Sequence, residues 1–152
     1  MDLATPKFIS RRRLLQARGA ALVLLNVRPA IATPENLAAA LKQTFGDQRI
    51  QAGRIKIDIP QIAENGNVVP VTIDVESPMA ADDYVKRIHL FSEHNPLPDI
   101  VEFELGPHNG KARVSTRIRL AKSQNVLAVA VLSDDTLWSA QALIEVTVSG
   151  CG

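Results

Sequence analysis

Two neighbouring stretches decide the fold: Arg113-Val114-Ser115-Thr116-Arg117-Ile118-Arg119-Leu120 and Val126-Leu127-Ala128-Val129-Ala130-Val131-Leu132. In the first, Val114, Thr116, Ile118 and Leu120 alternate with Arg113, Ser115, Arg117 and Arg119. A period of two is that of a strand with one face on a core and the other in water. The second is almost continuously apolar, as expected of a central strand covered on both faces.

The same period extends in both directions. Ile55, Ile57 and Ile59 alternate with Arg54, Lys56 and Asp58, and Val69–Val75, Val85–Phe91, Ile100–Leu105 and Leu137–Val148 are further strand candidates. Turn chemistry separates them: Glu64-Asn65-Gly66-Asn67, Asn95-Pro96-Leu97-Pro98, His108-Asn109-Gly110 and Ser133-Asp134-Asp135. Upstream, Thr33-Pro34 is an N-cap followed by proline at the first helical position, Leu37, Leu41 and Phe45 recur every four residues, and Gly46 is a stop. The expectation is an all-β protein, an immunoglobulin-like antiparallel β-sandwich of about seven strands, preceded by a short N-terminal helix over Pro34–Phe45. A small closed barrel is the rival architecture.

Charge divides the chain. Of its 17 basic and 16 acidic residues, six basic and one acidic residue fall in 1–32, which leaves residues 33–152 with a formal charge of −4. A domain of that sign lacks the basic footprint of a nucleic-acid binder. The basic segment is an address. Arg11, Arg12 and Arg13 stand ahead of a modestly apolar run, Ala20–Val27, and Ala30-Ile31-Ala32 offers small residues at the two positions a signal peptidase reads. This pattern is similar to a twin-arginine export signal, cut after Ala32, and an ordinary secretory signal is the alternative. Either places the product in the periplasm. The run contains Asn26 and is too short to span a bilayer. The expected organisation is an export signal over 1–32, a sandwich domain over 33–148 and a flexible tail over 149–152.

Classical catalytic equipment is sparse. His89, His94 and His108 have no metal-site spacing, and neither a nucleophile elbow nor a phosphate-cradling glycine loop occurs. The adjacent pairs Asp82-Asp83 and Asp134-Asp135 are read as turn formers, and Tyr84 and Trp138 as core or interface anchors. Arg113, Arg117 and Arg119 share a strand face, read as a solvated outer surface with capacity to steer anions.

One feature remains: Ser149-Gly150-Cys151-Gly152, with the only cysteine of the chain. Cysteine ordinarily prefers burial, whereas a glycine-flanked thiol beside a chain end is expected to be exposed, a liability in an oxidising compartment. Its neighbours supply reach and thinness. A tethered thiol suits a carrier that presents a covalent adduct to successive active sites. It suits an enzyme poorly, because a catalytic cysteine needs a fixed base and a preorganised oxyanion hole. The terminal carboxylate, one residue after Cys151, is expected to disfavour the thiolate, so activation is expected only inside a partner. The alternative is a non-catalytic assembly subunit whose thiol forms an intermolecular disulfide.

With this ending in view, the chain resembles the SoxY family, the sulfur-carrier subunit of periplasmic thiosulfate oxidation. The resemblance is carried by Ala63–Asn67 running through Val69–Thr72 to Glu76–Met79, by Phe91–Pro96, by Ala112–Ala121 and by Gly150-Cys151-Gly152. It implies a heterodimer with SoxZ, covalent attachment of thiosulfate-derived sulfur to Cys151, and no intrinsic cofactor. It also implies visits to a haem c-containing SoxXA-type cytochrome, a dimanganese SoxB-type hydrolase and, where present, a sulfane dehydrogenase. The usual family ending is Gly-Gly-Cys-Gly-Gly; here Ser149 replaces the first glycine and the last is missing.

Overall fold

The computed structural model describes residues 34–147. Helix α1 (Pro34–Phe45) opens the described chain, with Glu35 in its first turn and Lys42 in its last, each favourably placed against the helix dipole. Gly46 closes it at φ 66°, donating its N–H to the Lys42 carbonyl at 2.8 Å.

Nine strands follow: β1 (Ile50–Ala52), β2 (Ile55–Asp58), β3 (Ile62–Ala63), β4 (Val69–Val75), β5 (Val85–Ser92), β6 (Asp99–Glu104), β7 (Ala112–Ile118), β8 (Gln124–Leu132) and β9 (Leu137–Val146). They form two sheets, a larger one in the order β1-β9-β8-β5-β6, with β3 also on β9, and a smaller one in the order β2-β4-β7. The seven expected strands are all present and pair antiparallel. Two were not expected. β1 and β3 both pair parallel to β9, at Ile50↔Leu137 and Ile62↔Glu145. With three and two residues they are too short to show a period in sequence. Gly53, at φ 121°, turns the chain from the larger sheet to the smaller one and lies against the Trp138 ring.

The main core fills the space between the sheets, with Val71, Ile73, Ile88, Leu90, Ile118, Leu120, Val126, Ala128, Ala130 and Ile144 all buried. A second apolar layer lies on the outer face of the larger sheet. There Phe91, Val129, Val131 and Leu137 are covered by Leu37, Ala40, Leu41 and Phe45 of α1. This explains the unbroken apolar run of β8: its even-numbered residues face the smaller sheet while Leu127, Val129 and Val131 face the helix. β7, by contrast, keeps its outer side in water, with Arg113, Ser115 and Arg117 exposed.

The strand directions give the sandwich two distinct ends. One gathers the loops 64–68, 93–98 and 119–123 together with the last residues of β9, because Ser92 pairs with Val126, Gln124 with Ile144, and Ala63 with Val146. The opposite end gathers the loops 76–84, 105–111 and 133–136.

Candidate functional site

The residues expected to carry function, Cys151 with Ser149, Gly150 and Gly152, and the address residues Arg11, Arg12, Arg13, Ala30 and Ala32, lie outside the described residues. The structure describes the frame from which Cys151 departs. β9 ends at Val146, and Thr147 is the last described residue, four positions before the cysteine.

That departure point is fastened from two sides. Thr147 donates its backbone N–H to the Ala63 carbonyl at 3.0 Å and its hydroxyl to the Glu64 carbonyl at 2.9 Å. On the other flank, Ser123 Oγ accepts the Val146 N–H at 2.9 Å. Behind these contacts lies a buried amide network. Asn95 donates through Nδ2 to the Arg119 carbonyl at 2.8 Å, while its Oδ1 accepts the Ala121 N–H at 3.0 Å and Gln124 Nε2 at 3.1 Å. Gln124 Nε2 also reaches the Lys122 carbonyl at 3.0 Å, and Gln124 Oε1 accepts the His94 N–H at 2.8 Å. Asn95 and Gln124 are 9 % and 2 % exposed, so these bonds are largely shielded from water and hold the 93–98 and 119–123 loops against the start of β8. Glu93 adds a clamp on the start of β8, accepting from Asn125 N at 3.2 Å and Nδ2 at 3.0 Å. Glu64-Asn65-Gly66-Asn67 forms its turn through the Asn65 side chain, which accepts the Asn67 N–H, and Gly66 ties back to Leu120.

The remaining candidates are spread over the molecule. Arg113 is exposed and 3.5 Å from Asp74 across the β4–β7 pair, and Arg117 and Arg119 make no ion pair among the described residues. Asp134 accepts from the Thr136 N–H and hydroxyl, and the hydroxyl bond, as the largest cause, lowers its pKa. Asp135 sits in the left-handed region at φ 64° and meets Lys86 at 2.8 Å. Both acids therefore shape the β8–β9 turn. Trp138 packs on the main core with Arg54 stacked 5.1 Å above its ring, and Tyr84 is also half-buried there. No group of three or more histidine, cysteine or acidic side chains suited to a metal occurs among the described residues. No described helix is long and apolar enough to cross a membrane.

The histidines differ in their surroundings, and His108 is exposed. His89 is 2 % exposed and neither ring nitrogen has a hydrogen-bond partner. It is wedged between Phe45 of α1, at a centroid distance of 5.0 Å, and Phe91, at 5.9 Å. Its Nδ1 lies 3.8 Å from Glu102 Oε2. Burial lowers its pKa against the opposing pull of Glu102 and Asp99. His94 belongs to the framed end, and its Nδ1 is likewise without a partner.

The described residues form a helix-faced β-sandwich with one end braced by buried amides, and in the sequence the only cysteine follows Thr147 by four positions. Residues 41–151 match the family described as "Sulfur oxidation protein SoxY". The solved structure of the sulfur carrier protein SoxY from Chlorobium limicola f thiosulfatophilum is similar at 33 % sequence identity, covering 75 % of this chain and 98 % of that one, with a TM-score of 0.63. The chain belongs to the SoxY family of sulfur carriers. A superoxide reductase (neelaredoxin) variant from Ignicoccus hospitalis, at 20 % identity, 75 % and 92 % coverage and a TM-score of 0.54, shares the fold. So does the hypothetical protein PH1083 from Pyrococcus horikoshii OT3, at 19 % identity, 69 % and 99 % coverage and 0.53. Among curated proteins none matches the sequence.

Proposed function

We propose that this protein is a periplasmic, non-enzymatic carrier that binds thiosulfate-derived sulfur covalently on Cys151 and hands it to enzymes of thiosulfate oxidation. The observation that carries the reading is the family match, which extends to residue 151 and so includes the only cysteine. The braced end of β9 supports it, because a fixed origin limits the volume the thiol must explore. The sequence places Cys151 four residues beyond Thr147, a reach of at most ~14 Å.

Loading joins the Cys151 sulfur to the outer sulfur of thiosulfate. The thiol loses its proton, and two electrons pass to the haem c-containing SoxXA-type cytochrome, leaving Cys–S–S–SO3⁻. Water, directed by a dimanganese SoxB-type hydrolase, then releases the terminal group as sulfate and leaves a persulfide on Cys151, the substrate of a sulfane dehydrogenase where one is present. All metals and haems belong to those partners. The chain contributes the sulfur atom and the slender backbone of Ser149, Gly150 and Gly152. SoxZ is the heterodimer partner, and the address in residues 1–32, read through Arg11–Arg13 and removed after Ala32, delivers the domain of residues 33–148 to the periplasm by the twin-arginine route.

Intact-mass spectrometry tests the reading. The exported protein should begin at Thr33 and, given thiosulfate and the coupling cytochrome, gain one thiosulfate-sized adduct; Cys151→Ser should abolish the gain completely. A wild-type protein that stays unmodified, or that appears only as a disulfide-linked dimer on non-reducing gels while sulfur oxidation continues without the thiol, overturns it.

A further inference from the structure

α1 covers the outer face of the larger sheet without being sealed into it. Its contact side chains, Leu37, Ala40, Leu41 and Phe45, are each only partly buried, and none of residues 35–45 is fully buried. Beneath the last turn His89 is held between two aromatic rings, Phe45 edge-on at 5.0 Å and Phe91 stacked at 5.9 Å. A neutral imidazole has one N–H to donate and one lone pair to accept, and here both ring nitrogens are buried without partners. Two unmet groups under a lightly held helix weaken the closed arrangement before any proton arrives.

The surroundings of the ring decide what a positive charge meets there. β6 contributes Glu102, whose Oε2 is 3.8 Å from Nδ1, and Asp99, both attractive. Arg87 of β5 repels. Across a cavity of about 120 Å³ stands Asp135 of the β8–β9 turn, already paired with Lys86 at 2.8 Å. β8 places Val129 opposite His89, and Thr44, Phe45 and Gln48 line the same cavity from the helix side, none of them charged. Lys42 of α1 is exposed and pairs with Asp47. The nearest acid is thus Glu102 on the edge strand, itself exposed and beyond hydrogen-bond distance. An imidazolium gains most where water and Glu102 can both reach it, which is outside the slot between Phe45 and Phe91.

Burial holds the closed-state pKa of His89 below 6.5, and a lifted helix returns the ring to its ordinary value. Closure is therefore fully favoured above pH 6.5 and weakens as pH falls through 6.5 toward the closed-state pKa. Asn95 and Gln124, which brace the sandwich end, do not titrate, and the main core lies on the other face of the sheet from α1.

We propose that His89 is an acid-sensitive latch for α1: its neutral ring keeps the helix closed on the larger sheet, and its protonation releases the helix while the two-sheet sandwich stays folded. Release uncovers Phe91, Val129, Val131 and Leu137 and opens the imidazole to water. The latch does not depend on sulfur carriage, and its test needs no thiosulfate.

The test is native-state hydrogen exchange on the whole exported protein at pH 7.5 and 5.5, with each site compared with its intrinsic exchange rate at that pH. In wild type the protection of the amides of residues 38–45 should fall severalfold on acidification. The ceiling is about tenfold, set by a single group titrating at 6.5 in the open state. Amides of β4 and β7 should stay far better protected at both values. Urea below the unfolding range should leave exchange in α1 unchanged, since a local opening exposes little surface. His89→Leu and His89→Gln, one apolar and one polar but neutral, should both hold the protection of α1 constant between the two pH values. Equal wild-type protection at pH 7.5 and 5.5 overturns the latch, because the ring then takes its proton with the helix in place. So does an acid response that persists in both variants, which assigns it to another group. An α1 response that rises with urea in step with β4 and β7 also overturns it, since the opening is then global unfolding.

Discussion

Asn95 and His89 are both buried polar side chains, and the protein treats them in opposite ways. Asn95 uses both its amide atoms in hydrogen bonds, and Gln124 beside it does the same. His89, beneath α1, uses neither ring nitrogen. A satisfied buried network fixes the groups that share it, whereas an unsatisfied buried group lowers the stability of whatever keeps it from water. The difference separates a rigid end from a yielding face. The loops that frame the exit of β9 are held in one arrangement, and the helix covers the larger sheet at the cost of a stranded imidazole.

Asn95→Ala is the hardest blow to this contrast. It removes three hydrogen bonds and leaves the Arg119 carbonyl and Gln124 Nε2 short of partners. The expected loss is about 2–4 kcal/mol in chemical unfolding, with adduct uptake by the remaining folded fraction showing a weaker carrier affinity. A loss below about 1 kcal/mol would mean that water replaces the amide without cost and that the end is not braced in this way.

His89 should reveal itself through pH. Burial depresses its folded-state pKa below the ordinary 6.5, outweighing Glu102 and Asp99, while Arg87 adds to the depression. Asp135 lines the same cavity of about 120 Å³ under the end of the helix. The unfolded chain therefore takes up a proton near pH 6.5 that the folded protein refuses. Stability is held above that pH and falls as pH drops through 6.5 toward the lower folded pKa. Denaturant midpoints between pH 7.5 and 5.5 should decline for wild type. His89→Leu should flatten the decline and raise stability at pH 5.5, where Cys151→Ser, as a control, should leave it unchanged. A wild-type curve flat over this range would place the imidazole in contact with a proton acceptor after all.

Ser123→Ala is a milder probe of the braced end. Its hydroxyl accepts the Val146 N–H on an exposed edge, so about 0.5–1 kcal/mol is expected. Hydrogen exchange should accelerate at Val146 and Thr147 ahead of the rest of β9.

Much of this molecule was legible in its residues because the sheet faces differ in what covers them. Alternation in Arg113–Leu120 and continuity in Val126–Leu132 follow from water on one outer face and a helix on the other, and both survive in the structure. α1 spans Pro34–Phe45 as its cap, period and stop imply. β1 and β3 were hidden, since strands of three and two residues carry no period, and their parallel pairing to β9 is a tertiary choice. The amide network was also hidden. Asn95 stands in an Asn-Pro-Leu-Pro turn, which reads as surface, and only the return of β8 beside it reveals the burial. His89 was missed for the reverse reason: alternation assigns it to an outer face, and α1 turns that face into an interior. Cys151 and its glycine neighbours lie outside the described residues, so the candidate attachment site rests on the sequence alone.

The smallest expected effect is at the other end of the sandwich. Lys86 and Asp135 form a 2.8 Å ion pair there, with the acid well exposed. An exposed pair gains little Coulomb energy in water and gives up side-chain freedom in forming. Asp135 also occupies a left-handed position at φ 64°, where glycine is at ease and a branched residue is not. Asp135→Gly therefore exchanges a weak ion pair for relief of backbone strain, and the net change in stability should stay within about 0.5 kcal/mol. Loading of Cys151 should be unaffected, because this turn lies at the end remote from the chain exit. Asp135→Val should be worse than Asp135→Gly by about 1–2 kcal/mol, since only the backbone differs in tolerance. If Asp135→Gly instead slowed loading, the division of labour between the two ends would fail, and the turn between β8 and β9 would have to be counted among the surfaces that partners meet.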